Sequence, residues 1–158
     1  YFEAGNVTPA AEFNIYVDPH AADIVFRAGI PIVMMPLDVT HKALTTRQRV
    51  ERFRAMGTKV GVATAELLDF FERFAEEKYG TDGGPLHDPC VIAYLLKPEL
   101  FKGRECNVSI EIASELTMGM TVVDWWGVTR RKKNALVMRE IDADGFFELL
   151  AERLGRLQ

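Results

Sequence analysis

The stretch Asp18–Met35, which reads DPHAADIVFRAGIPIVMM, decides the fold class. Asp18 can cap a helix, proline is well tolerated in a first helical turn, and Gly29 is a typical stop. The sequence therefore predicts a helix from His20 to Ala28, followed by a buried strand from Ile30 to Met35. A continuous apolar strand after a short helix is typical of a parallel sheet covered on both faces. We interpret the stretch as a βαβ-type unit of an α/β protein.

Further helices are predicted on both sides of a glycine-rich loop at residues 80–85. Thr45 or Thr46 can cap a helix that runs to Met56, and Pro89 opens another that continues to Leu96. An amphipathic helix is predicted between them, from residue 63 to residue 79. Its apolar positions have helical spacing, which favours a core face over a platform for stacking bases. These positions are Leu67, Leu68, Phe70, Phe71 and Phe74.

The last third of the chain predicts strands and a final helix. Residues 107–113 alternate apolar and polar side chains, and residues 121–126 can pair with them as an antiparallel hairpin. Residues 134–141 form a further predicted strand, and Asp142 or Asp144 can cap a helix that ends near Gly155. We find no repeat, low-complexity tract or linker, which favours a single domain.

Composition excludes some classes of function. The chain has 158 residues, of which 48% are hydrophobic and 27% are charged, as in an ordinary globular domain. Its net charge of -4 argues against a nucleic-acid partner, because such binding neutralises many phosphates. The one basic run, Arg130–Lys133, is interpreted as a solvated turn.

Cysteine usage and hydropathy bear on the cellular compartment. Cys90 and Cys106 have neither metal-ligand spacing nor the density of a disulfide scaffold, which favours a reducing, cytoplasmic location. The apolar run from Ile30 to Leu37 contains two prolines and is too short to span a bilayer. We therefore expect no membrane association.

The segment at residues 5–14, GNVTPAAEFN, holds the first group of candidate site residues. On an extended backbone, Glu12 and Asn14 would point to the same face, because strand side chains alternate. An amide offers donors and an acceptor, while a carboxylate offers only acceptors, so together they match the hydroxyls of a sugar. The alternative is a capped turn, since Asn6, Thr8 and Pro9 are ordinary turn residues.

His87 and Asp88 form the second candidate site. Asp88 stands at the predicted N-cap of the helix opened by Pro89, where the helix dipole stabilises negative charge. A cap alone would explain Asp88. With His87 before it, however, a titratable group and a hard-oxygen ligand stand side by side. His41 could also lie near a crevice, although polar residues at strand ends are commonly satisfied structurally.

Four motifs, taken together, resemble a known family. In order they are GNVTPAAEFNIYVDPHAADIVF, PLDVTH, GGPLHDPCVIAYLL and TVVDWWG. They resemble the C-terminal half of the inosine-uridine-preferring nucleoside hydrolases, over essentially the whole chain. The resemblance implies the C-terminal part of an open, mostly parallel sheet flanked by helices, with an antiparallel hairpin extension. It also implies a pocket at the carboxyl ends of the strands that holds Ca²⁺ and an N-ribosyl substrate.

The same resemblance implies roles for individual residues in nucleoside salvage. Asn6, Glu12 and Asn14 would grip the ribose hydroxyls, Asp88 would bind calcium and a ribose hydroxyl, and His87 would face the leaving base. Cleavage of an N-glycosidic bond passes through a ribosyl cation, so the protein must fix the ring, deliver a water and help the base to depart. A calcium-bound water and a His87 acid would meet the last two needs.

One departure from the family is large. The Asp-rich motif that supplies most calcium ligands and the catalytic base has no counterpart here, and a lone Asp rarely binds an ion that takes six to eight oxygens. We therefore expect residues 1–158 to be the C-terminal half of a single domain, inactive until the N-terminal half completes it. Because members of the family commonly form dimers or tetramers, the resemblance also implies a homodimer or homotetramer.

Two other functions compete with a calcium-dependent nucleoside N-ribohydrolase. One is a non-catalytic ribonucleoside-binding or assembly module that lacks the acidic half. The other is a structural α/β domain in which the candidate residues do not converge. The preference for purine or pyrimidine is not evident from the sequence, nor is any contact of substrate with Tyr79, Trp125 or Trp126.

Overall fold

The computed structural model describes residues 2–79 and 83–157, with the backbone but not the side chains of residues 72–79. The chain forms two compact units. The first comprises Tyr1–Asp38 and Gly103–Arg139, and the second comprises Val39–Lys102 and Glu140–Gln158.

Helices and strands alternate irregularly over the described residues. The helices are α1 (Phe13–Tyr16), α2 (Pro19–Arg27), α3 (Leu37–Thr40), α4 (Arg47–Arg54), α5 (Lys59–Tyr79), α6 (Pro89–Leu96) and α7 (Ala143–Leu154), with a 3-10 turn at Pro98–Leu100. The strands are β1 (Val33–Met34), β2 (Phe101–Ile110), β3 (Thr121–Asp124) and β4 (Ala135–Ile141). No described helix is long and apolar enough to cross a membrane.

Helix α2 forms where the sequence predicts it. The Asp18 carboxylate accepts a hydrogen bond of 2.9 Å from the Ala21 amide, which would otherwise have no partner in the first turn. Pro19 occupies the first turn, and Gly29 follows the helix with a φ of +73°. The final helix is capped in the same way, because the Asp142 carboxylate accepts from the Gly145 amide at 3.1 Å.

The strands form an open four-stranded sheet in the order β1-β4-β2-β3, as the α/β prediction requires. β1 pairs parallel with β4, and β2 pairs antiparallel with β3, which confirms the hairpin. The buried strand predicted from Ile30 to Met35 was wrong in extent. Only Val33 and Met34 form a strand, and Ile30 and Val33 are 53% and 43% exposed. Pro31 and Pro36 lack amide donors, which limits the ladder to the residues between them.

Asn134 ties together the core of the first unit. Its Oδ1 accepts from the Val108 amide at 2.7 Å, and its Nδ2 donates to the carbonyls of Phe26 and Val108 at 2.9 and 2.8 Å. Phe26 and Val108 are buried in a cluster formed with Cys106, Ile110, Ala135 and Val137. The Asn134 side chain thus joins the end of α2 to the last part of β2.

The second unit packs α4, α6 and α7 around aromatic residues. Phe53, Phe146 and Phe147 are at most 2% exposed, and the rings of Phe146 and Phe147 meet edge to face at 5.0 Å. The Arg49 guanidinium lies 4.4 Å from the centre of the Phe147 ring. It also forms a 2.7 Å ion pair with Asp144 at the start of α7. Arg49 of α4 therefore contacts α7 both through an aromatic ring and through a carboxylate.

Helix α5 is longer than predicted and only partly buried. It begins at Lys59 rather than Ala63 and packs on α4. The contact uses the narrow stripe Gly61, Ala65 and Leu68, at helical spacing. The core prediction for Leu67 and Phe70 was wrong, since they are 70% and 76% exposed. They lie beside the stripe rather than on it. The side chains of Phe74 and Tyr79 lie outside the described residues.

We expect Asn134→Ala to lower the free energy of unfolding by about 3 kcal/mol, because it leaves buried backbone groups of Phe26 and Val108 without partners. Urea denaturation measures the loss. Asn107→Ala is the matched control. The Asn107 amide donates to the Lys132 carbonyl at an exposed turn, where water can replace it, so the cost should stay below about 1 kcal/mol. Equal losses in the two variants would contradict the central role of Asn134.

Candidate functional site

The loop that carries Asn6 folds back on itself. The Gly5 amide donates to the Pro9 carbonyl at 3.1 Å, and the Thr8 hydroxyl accepts from the Ala10 and Ala11 amides at 3.2 and 2.9 Å. A Cβ added at Gly5 would lie 2.0 Å from the Thr8 carbonyl oxygen, so this position admits only glycine. The loop therefore has a defined conformation that presents Asn6 to the start of α1.

Glu12 and Asn14 do not lie on a strand, which corrects the prediction of an extended edge. Glu12 is the N-cap of α1, and its Oε2 accepts from the Asn14 amide at 2.9 Å. Asn6 Oδ1 accepts from the neighbouring Phe13 amide at 2.8 Å. The first amides of a helix have no carbonyl partner within it, and this draws both side chains to the same turn. Asn6, Glu12 and Asn14 therefore do come together, but around a helix start.

In the second unit, the loop before α6 is fixed by a backbone pairing with residues 43–45. The Thr45 amide donates to the Gly84 carbonyl at 2.9 Å, and the Leu86 amide donates to the Ala43 carbonyl at 2.9 Å. The Thr45 hydroxyl also donates to the Gly84 carbonyl, at 2.9 Å, and accepts from the Gly84 amide at 3.1 Å. Thr45 is fully buried, so these bonds are sheltered from water.

The pairing places His87 beside the end of α3. His87 Nδ1 lies 2.8 Å from the Thr40 hydroxyl, and the rings of His87 and His41 are 5.7 Å apart. Thr40 is 3% exposed, whereas His87 is half-buried. Sequence reasoning noted His41 but missed Thr40. Thr40 and His87 are 47 residues apart in the chain, and a threonine in the segment PLDVTH does not by itself indicate a functional contact.

Asp88 stands at the N-cap position of α6 without acting as a cap. Its backbone is already helical, with φ of -61° and ψ of -40°, and its side chain accepts no capping hydrogen bond. Capping requires an extended backbone at this position, so the cap predicted from sequence does not form. The exposed Asp88 side chain instead borders an apolar groove of about 350 Å³ between α6 and α7.

Cys90, on the first turn of α6, has a buried thiol of low reactivity. The thiol is buried and donates to the Leu86 carbonyl at 3.2 Å. Burial, reinforced by the negative charge of Asp88, raises the pKa of Cys90 to about 12. The thiolate form is therefore nearly absent at neutral pH, and Cys90 acts as a packing residue.

The described residues contain no cluster of the side chains that most often bind metals. Within residues 2–79 and 83–157, no group of three or more His, Cys, Asp or Glu side chains is arranged to hold a metal ion. Asp88 supplies one carboxylate, and Ca²⁺ takes six to eight oxygen ligands. A calcium ion bound to Asp88 would therefore need several oxygen ligands besides this carboxylate.

The two tryptophans differ in their surroundings. Trp125 packs against the core cluster of the first unit, whereas Trp126 is 75% exposed. The Arg104 guanidinium lies 4.6 and 5.7 Å from their ring centres, which supports a structural role for the pair.

Comparison with known proteins gives consistent matches. A family model described as inosine-uridine preferring nucleoside hydrolase matches residues 1–148. The pyrimidine-specific ribonucleoside hydrolase RihA of Citrobacter koseri is 60% identical over 151 residues, which cover 95% of this chain and 48% of that protein. The chain thus spans about half the length of the curated relatives it matches.

Solved structures agree with these matches. A purine-preferring ribonucleoside hydrolase from Gardnerella vaginalis has a TM-score of 0.85 at 33% identity, covering 98% of this chain and 49% of that one. A plant nucleoside hydrolase has a TM-score of 0.83 at 29% identity, covering 96% and 50% respectively.

We expect Gly83→Ala to disturb the loop that positions His87. Gly83 has a φ of +94°, and an added Cβ would lie 2.6 Å from the Thr45 carbonyl oxygen. Left-handed strain and overpacking together should cost about 2 to 5 kcal/mol. Gly57→Ala is the matched control, because Gly57 has a φ of +66° with nothing within 4 Å, so only strain of about 1 to 2 kcal/mol applies. Equal losses in urea denaturation would show that loop crowding is unimportant.

Proposed function

The chain belongs to the inosine-uridine preferring nucleoside hydrolase family, and from this premise we propose that it forms part of a nucleoside N-ribohydrolase. The reaction is the hydrolysis of the N-glycosidic bond of a ribonucleoside to ribose and free base. The observation that carries the proposal is the His87 side chain, held by the Thr40 hydroxyl on a loop pinned to residues 43–45. An acid needs such a fixed position to meet a leaving group.

We propose that residues 1–158 are the C-terminal half of one hydrolase domain. The observation that supports this is the length of the match, since the chain spans about half of its curated relatives. The water-activating carboxylate and the remaining metal ligands would then belong to an N-terminal half. Catalysis is assigned to the completed protein, and the 158 residues alone would be inactive.

Asn6, Glu12 and Asn14 are assigned to the ribose. Their convergence at the start of α1 supports the assignment, because carboxylate and amide groups at one turn can meet neighbouring hydroxyls. Asn6 Oδ1 and Glu12 Oε2 also hold backbone amides, so both side chains have a structural task as well. Asn14 differs, since its contact at this turn is through the backbone and its side chain is exposed.

His87 is assigned as the acid that protonates the departing base. The bonding electrons of the C1′–N bond pass to the base, which leaves readily only when its nitrogen accepts a proton. A histidine suits this task because its ordinary pKa lies near neutrality. Asp88 is assigned to a ribose hydroxyl and to calcium as one ligand among several, and its exposure beside His87 supports both contacts.

The names of relatives bear on the choice of base and on the cellular setting. The pyrimidine-specific relative is 60% identical and the purine-preferring one 33% identical, which supports pyrimidine ribonucleosides as the first substrates to test. Two buried, free cysteines support the cytoplasmic location. The exposed apolar residues Leu67 and Phe70 support self-association as a homo-oligomer.

We expect Asn14→Ala in the full-length enzyme to lower kcat/KM by about 10²-fold or more on every nucleoside, because ribose contacts act in the transition state as well as in binding. Stability should not change, since the side chain is exposed and the capping bond uses the Asn14 backbone. Glu12→Gln, which retains an acceptor oxygen for the cap, should give a similar loss. A loss confined to purines or to pyrimidines would mean that these side chains contact the base.

His87→Ala and Asp88→Ala should leave different patterns on two substrates. An acid matters only when the base needs a proton, so His87→Ala should slow uridine and inosine by about 10² to 10⁴-fold. It should largely spare p-nitrophenyl riboside, whose leaving group departs as a stable anion. Asp88→Ala removes a ribose contact and a metal ligand, so both substrates should slow together and more calcium should be required.

Steady-state rates of both variants on both substrates provide the test of the proposed function. Equal losses on uridine and p-nitrophenyl riboside for His87→Ala would exclude His87 as the acid. A completed protein that binds ribonucleosides but releases no base would indicate the non-catalytic binding module instead.

A further inference from the structure

Helix α6 has the composition of a helix that is buried on every side. Its eight residues, Pro89–Leu96, include no charged side chain, and their one hydroxyl belongs to Tyr94. A surface helix carries polar residues on the side that faces water, whereas a helix that is apolar all round belongs in a core or in a membrane. Eight residues are too few to cross a bilayer. The sequence of α6 therefore indicates that protein covers all of its sides.

The described part of the chain covers one side of α6 and leaves the other side exposed. Cys90 and Ala93, on the covered side, are 0% and 6% exposed. The opposite side carries Val91, Ile92, Leu95 and Leu96, which are 49%, 58%, 72% and 49% exposed. Residues four positions apart are neighbours on a helix, so these four side chains form one stripe, the apolar face of α6. An exposed stripe of large apolar side chains marks a surface that binds another part of a protein.

The apolar face continues into the groove of about 350 Å³ between α6 and α7. Apolar residues of both helices line this groove, among them Ile92, Leu96, Leu149 and Leu150. Its two charged lining residues, Asp88 and Arg153, are both exposed. An apolar centre with a few charged groups at its margin is the usual anatomy of a protein–protein contact. A segment bound in the groove would lie beside Asp88 and thus beside the candidate site.

We propose that the apolar face of α6 and the adjoining groove receive an apolar segment of the N-terminal half, so that the two halves share one core. This inference rests on the proposed function, in which residues 1–158 are one half of a hydrolase domain. The length of the relatives supports this occupant. The Gardnerella vaginalis hydrolase matches this chain with a TM-score of 0.85, and the match covers 49% of that protein, so a second half of similar length accompanies this fold there.

A second copy of the chain is the alternative occupant, and the composition of α6 favours the N-terminal half. A helix at an interface between copies becomes exposed whenever the copies separate, and a polar side keeps such a helix soluble. α6 has no such side. A core shared within one polypeptide forms each time the protein folds, which is what a helix apolar all round requires. Because Asp88 lines the groove, packing of the two halves would also complete the candidate site.

Cysteine accessibility in the full-length protein tests the inference. Ile92→Cys and Leu95→Cys each place a thiol on the apolar face, and Val91→Cys replaces either variant if it does not fold. Glu148→Cys is the matched control, because Glu148 is an exposed residue of the neighbouring α7. Each variant is treated with a maleimide at several protein concentrations. Mass spectrometry of the peptide that carries the new cysteine gives the labelling rate, which is divided by the rate in denaturant.

We expect the thiols on α6 to react at least about 100-fold more slowly than the thiol at position 148, because a covered position reacts only when the structure opens locally. The protection should be the same at every protein concentration, since cover within one chain does not depend on dilution. Thiols on α6 that react as fast as the control would overturn the inference. Protection that disappears as the protein is diluted to a monomer would also overturn it and would assign the face to a second copy.

Base release from uridine by the unmodified full-length protein reports separately on the proposed function. Protected thiols in a protein that releases no base would support the shared core and reject the hydrolase. Unprotected thiols in an active enzyme would reject the shared core and leave the hydrolase in place.

Discussion

The backbone pairing between residues 43–45 and 84–86 is the constraint on which the candidate chemistry of the second unit depends. It joins two segments that are about forty residues apart in the chain, and it is closed by the fully buried Thr45. Arg49 extends the same arrangement, because its guanidinium donates to the Leu44 carbonyl at 2.7 Å while it pairs with Asp144 on α7. The position of His87 is thus set by main-chain hydrogen bonds and by the buried core, rather than by the local conformational preference of its own loop.

Much of the fold could be predicted because its signals are local. The caps at Asp18 and Asp142 act within four residues, and the alternation in β2 and β3 reflects burial on one face. The family resemblance is likewise carried by short motifs, and the family model matches residues 1–148.

The errors arose where distant parts of the chain decide the outcome. β1 is short because prolines restrict its pairing with β4, and a run of apolar letters cannot reveal that. Glu12 and Asn14 lie on a helical turn because a side chain six residues upstream, Asn6, supplies one of the bonds that start it. The Thr40 contact with His87 could not be predicted for the same reason. The hydrogen-bond partner of a threonine hydroxyl depends on which residues the fold places beside it.

Cys90 gives α6 a property of a different kind. Its thiol is sealed beneath the same turn that carries His87 and Asp88, and burial keeps it protonated. Oxidants and electrophiles that attack thiolates should therefore not react with Cys90 while this turn remains folded. Chemical labelling of Cys90 would proceed only as fast as this turn unfolds locally. The labelling rate would therefore measure the rate of local unfolding around the candidate site.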